Sequence, residues 1–189
     1  MNRVLYGGKN LTYKCIYKTP DKFSDIILNS DGKALTGLWF NGSKDLSKNI
    51  TNCEEKDLAI FRETSYWLDI YFGGEEPDFV PNYKIDELTQ FRQEVINVMN
   101  TIRFGKTLTY NDIAKIIAKE RGLKRMSAQA VGGAVGWNPI CIIIPCHRVI
   151  GANGNLTGYV GGIHNKIALL EHEKNDMTEY YIPKRSNLL

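Results

Sequence analysis

The sequence has few of the residues that build metal centres and covalent scaffolds. Its 189 residues include four cysteines and three histidines, and no two cysteines form a Cys-x-x-Cys pair. Zinc sites and disulfide frameworks require more regular spacing of these residues than Cys141, Cys146, His147, His164 and His172 provide. We therefore expect no metal site, and free thiols typical of a reducing compartment.

Long apolar runs are also missing. No stretch approaches the ~20 apolar residues that a membrane helix needs, and the first residues do not have the pattern of a secretory signal. The composition, 43% hydrophobic and 24% charged, is that of an ordinary globular protein. These features predict a cytoplasmic protein that does not contact membranes.

The net charge is only +3, but the basic side chains are unevenly distributed. The segment 101–137 contains two acidic residues, Asp112 and Glu120, among many basic ones. Its basic residues are Arg103, Lys106, Lys115, Lys119, Arg121, Lys124 and Arg125. Such a cluster favours a polyanionic partner such as nucleic acid, or it is simply a solvated helix face. Charge alone leaves both interpretations open.

The first third of the chain predicts a small antiparallel sheet. Strand-like segments cover 11–17, 23–28 and 35–40, and Asp31-Gly32 between the last two is a hairpin signal.

A helix should follow from about Glu54 to Phe72, opened by a capping box formed by Thr51 and Glu54. The polar, proline-bearing stretch 75–82 has the composition of a linker. We therefore predict an α+β domain over residues 1–85.

The second half predicts a helix-turn-helix. A helix at 88–102 precedes one opened by the capping box of Thr109 and Asp112, and a third, short helix has Ser127 as its N-cap. Two short helices joined by a tight basic turn are typical of DNA-binding modules. The small residues of the third helix permit close approach of another backbone, from protein or ligand, or serve packing alone.

The segment around Cys146 presents a candidate nucleophile. The β-branched run 140–144 predicts a buried strand that Pro145 ends. A free thiol has a pKa near ~8.5 and needs a nearby base, and His147 is the nearest. Adjacent residues of a strand face opposite ways, so the two cooperate only if Pro145 turns the chain or a water bridges them. A core cysteine beside a surface histidine is the alternative. Glu173, near the end of a last helix, is a candidate partner for His147.

Several motifs, taken in their order and spacing, resemble the O6-alkylguanine-DNA alkyltransferases over residues 86–175. The motifs are Thr109-Tyr110, Ala130-Val131-Gly132-Gly133-Ala134, Asn138-Pro139, Ile144-Pro145-Cys146-His147-Arg148-Val149-Ile150, Gly158-Tyr159-Val160-Gly161-Gly162 and Leu169-Leu170-Glu171-His172-Glu173.

The resemblance implies a single-turnover repair protein without a cofactor. Cys146 would accept the alkyl group of an O6-alkylguanine, or of an O4-alkylthymine, and keep it as a thioether. His147 would remove the thiol proton through a water, Glu173 would orient that imidazole, and Asn138 would hold the surrounding turn. Tyr110 would assist the departing guanine.

The resemblance also implies the recognition surfaces. The pocket for the flipped base would be formed by Tyr159, Val160, Gly161 and Val149. Double-stranded DNA would be bound through its minor groove by a monomer. The DNA contacts would come from Ser127, Ala128, Gln129, Ala130, Gly132 and Arg148. Gln129 departs from the arginine that many relatives carry, so we expect weaker DNA affinity than in arginine-bearing relatives. Val160 stands where a serine that could hydrogen-bond the O6 atom is frequent.

The implied fold is α+β, with a ribonuclease H-like domain over 1–85 and a winged-helix domain over 86–175. The tail 176–189 lies outside the resemblance. The sequence leaves two alternative functions. One is a lesion-binding sensor, although the sensors of this kind lack the cysteine. The other is a transcription regulator, which would need a second half-site reader or a dimer interface.

Overall fold

The computed structural model describes residues 11–43, 46 and 52–183, which form a mixed α+β fold. The first sheet has the order β3-β2-β1-β4. Its strands are β1 (Thr12–Tyr17), β2 (Ile26–Ser30), β3 (Leu35–Phe40) and β4 (Cys53–Glu55). The pairs β1–β2 and β2–β3 are antiparallel, as the sequence predicts, and β4 adds a parallel strand beside β1.

Helix α1 (Ala59–Phe72) begins later than the sequence predicts. Glu54 was expected to open the helix, but it pairs with Tyr13 of β1, so its backbone is extended. The N-cap is Leu58, whose side chain makes no capping hydrogen bond. The pattern of Thr51 and Glu54 is therefore not a helix start, and Thr51 itself lies outside the described residues. Tertiary strand pairing overrides the local signal here.

The second half contains four helices and a short parallel sheet, counted up to residue 183, the last one described. The helices are α2 (Gln90–Met99), α3 (Tyr110–Glu120), α4 (Ala128–Gly136) and α5 (Ile163–His172), and β5 (Leu108–Thr109) pairs with β6 (Val149–Ile150). The capping box of Thr109 and Asp112 is confirmed, and Ser127 caps α4 by accepting from Ala130 N at 3.2 Å.

The run 140–144 is buried as predicted, but it is a turn and not a strand. Ile142 has φ +68, outside the range of a strand, and Ile144 N donates to Ile140 O at 3.0 Å. Leu38 of β3 anchors this turn, because its N–H donates to Pro139 O and its carbonyl accepts from Cys141 N. The first sheet therefore supports the turn that leads to Cys146.

One hydrophobic core runs through both halves of the chain. Buried side chains of β3, α1, α2, α3 and α5 belong to the same cluster, among them Leu38, Leu68, Val95, Ile117 and Leu169. Within the described ranges, no helix is both long and apolar enough to cross a membrane.

Candidate functional site

Cys146 and His147 lie in a 3-10 turn, Cys146–Arg148, immediately after Pro145. The backbone there is a turn, so the strand geometry that places neighbouring side chains on opposite faces does not apply. Both are buried, with exposed fractions of 5% and 0%. The alternative of a surface histidine is therefore wrong.

Asn138 ties the turn to the thiol. Its Nδ2 donates to Ile144 O at 2.9 Å, to Ile140 O at 3.3 Å and to Cys146 Sγ at 3.1 Å. Its Oδ1 accepts from Ile140 N at 3.0 Å. One buried amide thus fixes the backbone of 140–144 and points a donor at the sulfur.

The surroundings of Cys146 favour its thiolate. The hydrogen bond with the neighbouring thiol of Cys141 lowers the pKa of Cys146 most. Burial opposes this shift, whereas the Asn138 amide, the Lys166 ammonium and the Tyr159 hydroxyl add to it. Lys166 is fully buried and donates to Val149 O at 2.6 Å. Burial lowers the pKa of Lys166 to about 8, against the opposing effect of Cys146.

His147 and Glu173 form a buried pair, with Nε2 and Oε1 2.7 Å apart. Burial lowers the pKa of His147, while Glu173 partly restores it. The carboxyl pKa of Glu173 falls to about 2, because His147 and Arg148 together outweigh the opposing effect of burial. The Nδ1 atom of His147 is buried and has no hydrogen-bond partner among the described residues, so with Nε2 protonated towards Glu173 it is free to accept a proton.

Arg148 corrects one prediction, because it is not available to DNA. Its side chain is 8% exposed, and Nε donates to both oxygens of Glu173 at 3.1 and 3.0 Å. Nη2 donates to the same carboxylate, and Nη1 bonds Ile102 O. A guanidinium that is saturated by internal partners does not reach a phosphate. Its role is to hold Glu173.

Tyr110 is the first residue of α3 and lies close enough to the thiol to interact with its charge. Burial, and then the charge of Cys146, raise the pKa of Tyr110 to about 12. Its hydroxyl is therefore protonated at neutral pH. The ring also borders α4, since a Cβ on Gly132 would come within 3.9 Å of it.

A small pocket opens at Cys146. It is lined by Val135, Gly136, Asn138, Cys141, Cys146, Gly158, Tyr159 and Val160. Gly161 is next to this wall, and a Cβ there would lie 2.7 Å from the rings of Phe40 and Tyr159, so only glycine fits. Val149 does not line the pocket. It is fully buried in β6, and its contact with the substrate stays a prediction.

Helix α4 presents an open surface. Ser127, Gln129 and Ala130 are exposed, and Ala128 and Gly132 are half-buried. Apart from the backbone of α4 itself and the adjacent residues, no atom in the described part of the chain lies within 4 Å of where a Cβ would be on Gly133, so packing among those residues does not require a glycine there. This favours the first of the two explanations for the small residues, close approach by an external partner.

Three residues of the site were missed by the sequence reasoning. Tyr71 donates from its hydroxyl to Glu173 Oε1 at 2.8 Å, and Lys166 and Cys141 act on Cys146 as described above. A lysine on the apolar face of α5 was a usable signal, because cations are seldom buried. Tyr71 carried no local signal, since its partner is 102 residues away. In the described part of the chain, no three His, Cys, Asp or Glu side chains are grouped as metal ligands.

Comparisons with known proteins show which proteins this chain resembles. Residues 90–175 match the family model of the 6-O-methylguanine DNA methyltransferase DNA-binding domain. A methylated-DNA–protein-cysteine methyltransferase of Methanosarcina acetivorans is 39% identical over 163 residues, which are 85% of this chain and 97% of the relative. The crystal structure of Mycobacterium tuberculosis OGT in complex with DNA is similar to this structure, with a TM-score of 0.71 and 35% sequence identity. The match covers 90% of this chain and 94% of the Mycobacterium tuberculosis chain. The structure of the Mycobacterium tuberculosis O6-methylguanine methyltransferase has a TM-score of 0.70 at 37% identity, covering 88% and 98%.

Proposed function

The chain belongs to the methylated-DNA–protein-cysteine methyltransferase family, and on that premise we propose that Cys146 is its alkyl acceptor. The protein repairs alkylated DNA by transferring the alkyl group to a cysteine. The observation that supports Cys146 is its buried sulfur, which receives a hydrogen bond from Asn138 at 3.1 Å at the edge of a pocket.

The reaction is a single displacement at carbon. The thiolate of Cys146 attacks the alkyl carbon, a sulfur–carbon bond forms, and the bond from that carbon to O6 of guanine breaks. The electron pair leaves with the guanine, which takes up a proton, and the thiol proton goes to His147. The thioether is not reversed, so each molecule acts once.

His147 is the base in this scheme. Burial keeps its imidazole neutral at physiological pH, and Nδ1 is free to receive the thiol proton through a water. Glu173 accepts from Nε2–H and stabilises the imidazolium that forms, which is the logic of a catalytic triad with a thiol in place of a hydroxyl.

Tyr110 acts on the leaving group. Its hydroxyl is protonated at neutral pH and lies close enough to Cys146 for the thiolate charge to raise its pKa. It therefore donates to the departing guanine. The flipped base would lie against Tyr159, Val160 and Gly161, where Val160 offers no hydroxyl for O6. An O6-alkylated guanine pairs weakly, so its extrusion costs less than that of a normal base.

Helix α4 is the element that enters the minor groove. Its open face at Ala128, Ala130, Gly132 and Gly133 permits close approach, and Gln129 projects from that face. The basic side chains of α3 and the following turn, Lys115, Lys119, Lys124 and Arg125, surround a surface depression where phosphates would bind.

The finer architecture is part of the same proposal. A ribonuclease H-like domain over 1–85 is supported by the antiparallel order β3-β2-β1 followed by α1. A winged-helix domain over 86–175 is supported by the consecutive helices α3 and α4 and the pair β5–β6. The tail 176–189 follows. We further propose that the protein acts as a cytoplasmic monomer.

The decisive experiment is intact-protein mass after incubation with excess duplex that contains one O6-methylguanine. One methyl per molecule is expected for the wild type and none for Cys146→Ala. Cys141→Ala is the matched control for the other thiol of the pocket. It should still gain one methyl at completion, but more slowly, because it loses the hydrogen bond that lowers the pKa of Cys146 most. An unchanged wild-type mass with damage-selective binding would instead indicate a lesion sensor, and an unchanged mass without binding would exclude repair.

A further inference from the structure

Tyr71 reaches the active site from the first half of the chain. It lies on α1, where its ring stacks on Trp67 at 5.5 Å and meets His147 edge-on at 6.5 Å. Its side chain is 1% exposed. A tyrosine that is held by its ring and buried in this way presents its hydroxyl in a fixed position.

The Tyr71 hydroxyl and the imidazole of His147 both bind the same carboxylate oxygen of Glu173. The hydroxyl donates to Glu173 Oε1 at 2.8 Å, and the same oxygen lies 2.7 Å from His147 Nε2. The hydroxyl is 3.5 Å from that Nε2. Because all three side chains are buried, water does not weaken these interactions, and a hydrogen bond to a charged group is the strongest kind available here.

Other charged and titratable groups surround the hydroxyl. Arg148 binds both oxygens of Glu173 from the turn, and Gly105 N donates to Oε2 at 3.1 Å. His172 of α5 is next to the Tyr71 ring, but its Nε2 is engaged by Tyr71 O at 2.6 Å. On the described residues, Tyr71 is therefore the neutral donor to Oε1, the oxygen that also pairs with the imidazole.

On the basis of the function proposed above, we propose that Tyr71 is a positioning residue for alkyl transfer. Its hydroxyl holds Glu173 so that the carboxylate accepts from His147 Nε2–H and leaves Nδ1 open to the thiol proton. The same hydrogen bond draws negative charge from Oε1. It thereby limits how strongly Glu173 favours the imidazolium, and keeps His147 a neutral base.

Two opposite changes test this. Tyr71→Phe removes the donor, so Glu173 attracts the imidazolium more strongly, and the acid limb of the single-turnover rate against pH should move to higher pH. The rate at neutral pH should fall about tenfold, as expected for a lost hydrogen bond to a charged group. Replacement of Tyr71 by 3-fluorotyrosine strengthens the donor and keeps the shape, so the limb should move to lower pH.

Tyr17→Phe is the matched control. The Tyr17 hydroxyl donates to Asp69 of α1 at 2.7 Å. Tyr17→Phe therefore also removes a tyrosine–carboxylate hydrogen bond to α1. This bond is exposed, and both residues are far from Cys146 in the sequence. The variant should leave both rate and pH profile unchanged. A merely structural role for Tyr71 would lower the unfolding midpoint without moving the acid limb.

The outcomes are distinguishable from those of the proposed function. If the wild type gains no methyl, the proposed function fails and this inference with it. If the wild type gains one methyl but the acid limbs of Tyr71→Phe and the fluorotyrosine protein coincide with that of the wild type, only the inference is overturned. Should Tyr71→Phe not fold, the fluorotyrosine protein decides alone.

Discussion

Asn138 shows how much of this site depends on single side chains. Its amide satisfies two backbone carbonyls and one backbone N–H, and still donates to Cys146 Sγ. Only a side chain with both a donor and an acceptor can replace it, because buried polar groups that lose their partners destabilise the folded state. The residue therefore links stability to reactivity.

We expect Asn138→Ala to lower the free energy of unfolding by about 1 to 3 kcal/mol, since it leaves the buried Ile140 N–H without its acceptor. The pKa of Cys146 should rise, because the amide that stabilises the thiolate is gone. Urea denaturation measures the first effect, and thiolate absorbance against pH in the folded protein measures the second. Asn97→Ala, at an exposed position on α2, is the control and should change neither. A stable variant with an unshifted thiol would refute this account.

At the scale of elements, the helix-turn-helix combines predictable geometry with an unusual surface. The capping box at Thr109 and the cap at Ser127 fix where α3 and α4 begin. Both signals operate within four residues, so the sequence was sufficient to find them. What α4 presents to a partner is set by its small residues and by Gln129 at its exposed start.

Gln129→Arg should bind duplex DNA more tightly than the wild type. A guanidinium at this exposed position adds a positive charge to α4, the helix proposed to enter the minor groove, and we expect a gain of about three- to tenfold at low salt that shrinks as salt rises. Fluorescence anisotropy at two salt concentrations measures it. Gln93→Arg on α2 controls for net charge. Equal affinity of Gln129→Arg and wild type would contradict the prediction.

At the scale of the whole molecule, Glu173 joins the two halves. It receives Tyr71 from α1, the Gly105 N–H that follows α2, and His147 and Arg148 from the turn. Backbone bonds between Leu38 and the Pro139–Cys141 turn add a second connection. The first half is thus part of the structure that holds the turn of Cys146.

The buried contacts of Glu173 make the stability of the fold depend on pH. The pKa of Glu173 falls from 4.5 to about 2 on folding, so its contribution is fully present above pH 4.5 and is lost as the pH falls towards 2. The loss should be on the order of 3 kcal/mol. Unfolding free energies measured from pH 6 to 2 should show a steeper fall for wild type than for Glu173→Gln. Glu171→Gln, which removes one exposed carboxylate from α5, should follow the wild-type curve; parallel curves for wild type and Glu173→Gln would contradict the assignment.

The sequence by itself determined those features that depend on near neighbours. The hairpin at Asp31-Gly32, the caps of α3 and α4, and the adjacency of Cys146 and His147 rest on interactions within a few residues, which is why pattern and motif were enough to predict them. The apolar, β-branched composition of 140–144 likewise predicted its burial, since burial follows from hydrophobicity.

Only the tertiary structure decided the rest. Residues 140–144 form a turn held by Asn138 and β3 and not the predicted strand. Helix α1 begins after the predicted position, because Glu54 pairs with Tyr13. The tertiary structure also turned Arg148 inward and brought Tyr71 to Glu173, 102 residues away. Such contacts are made between segments far apart in the chain, and their free energy depends on burial and charge that no local pattern records.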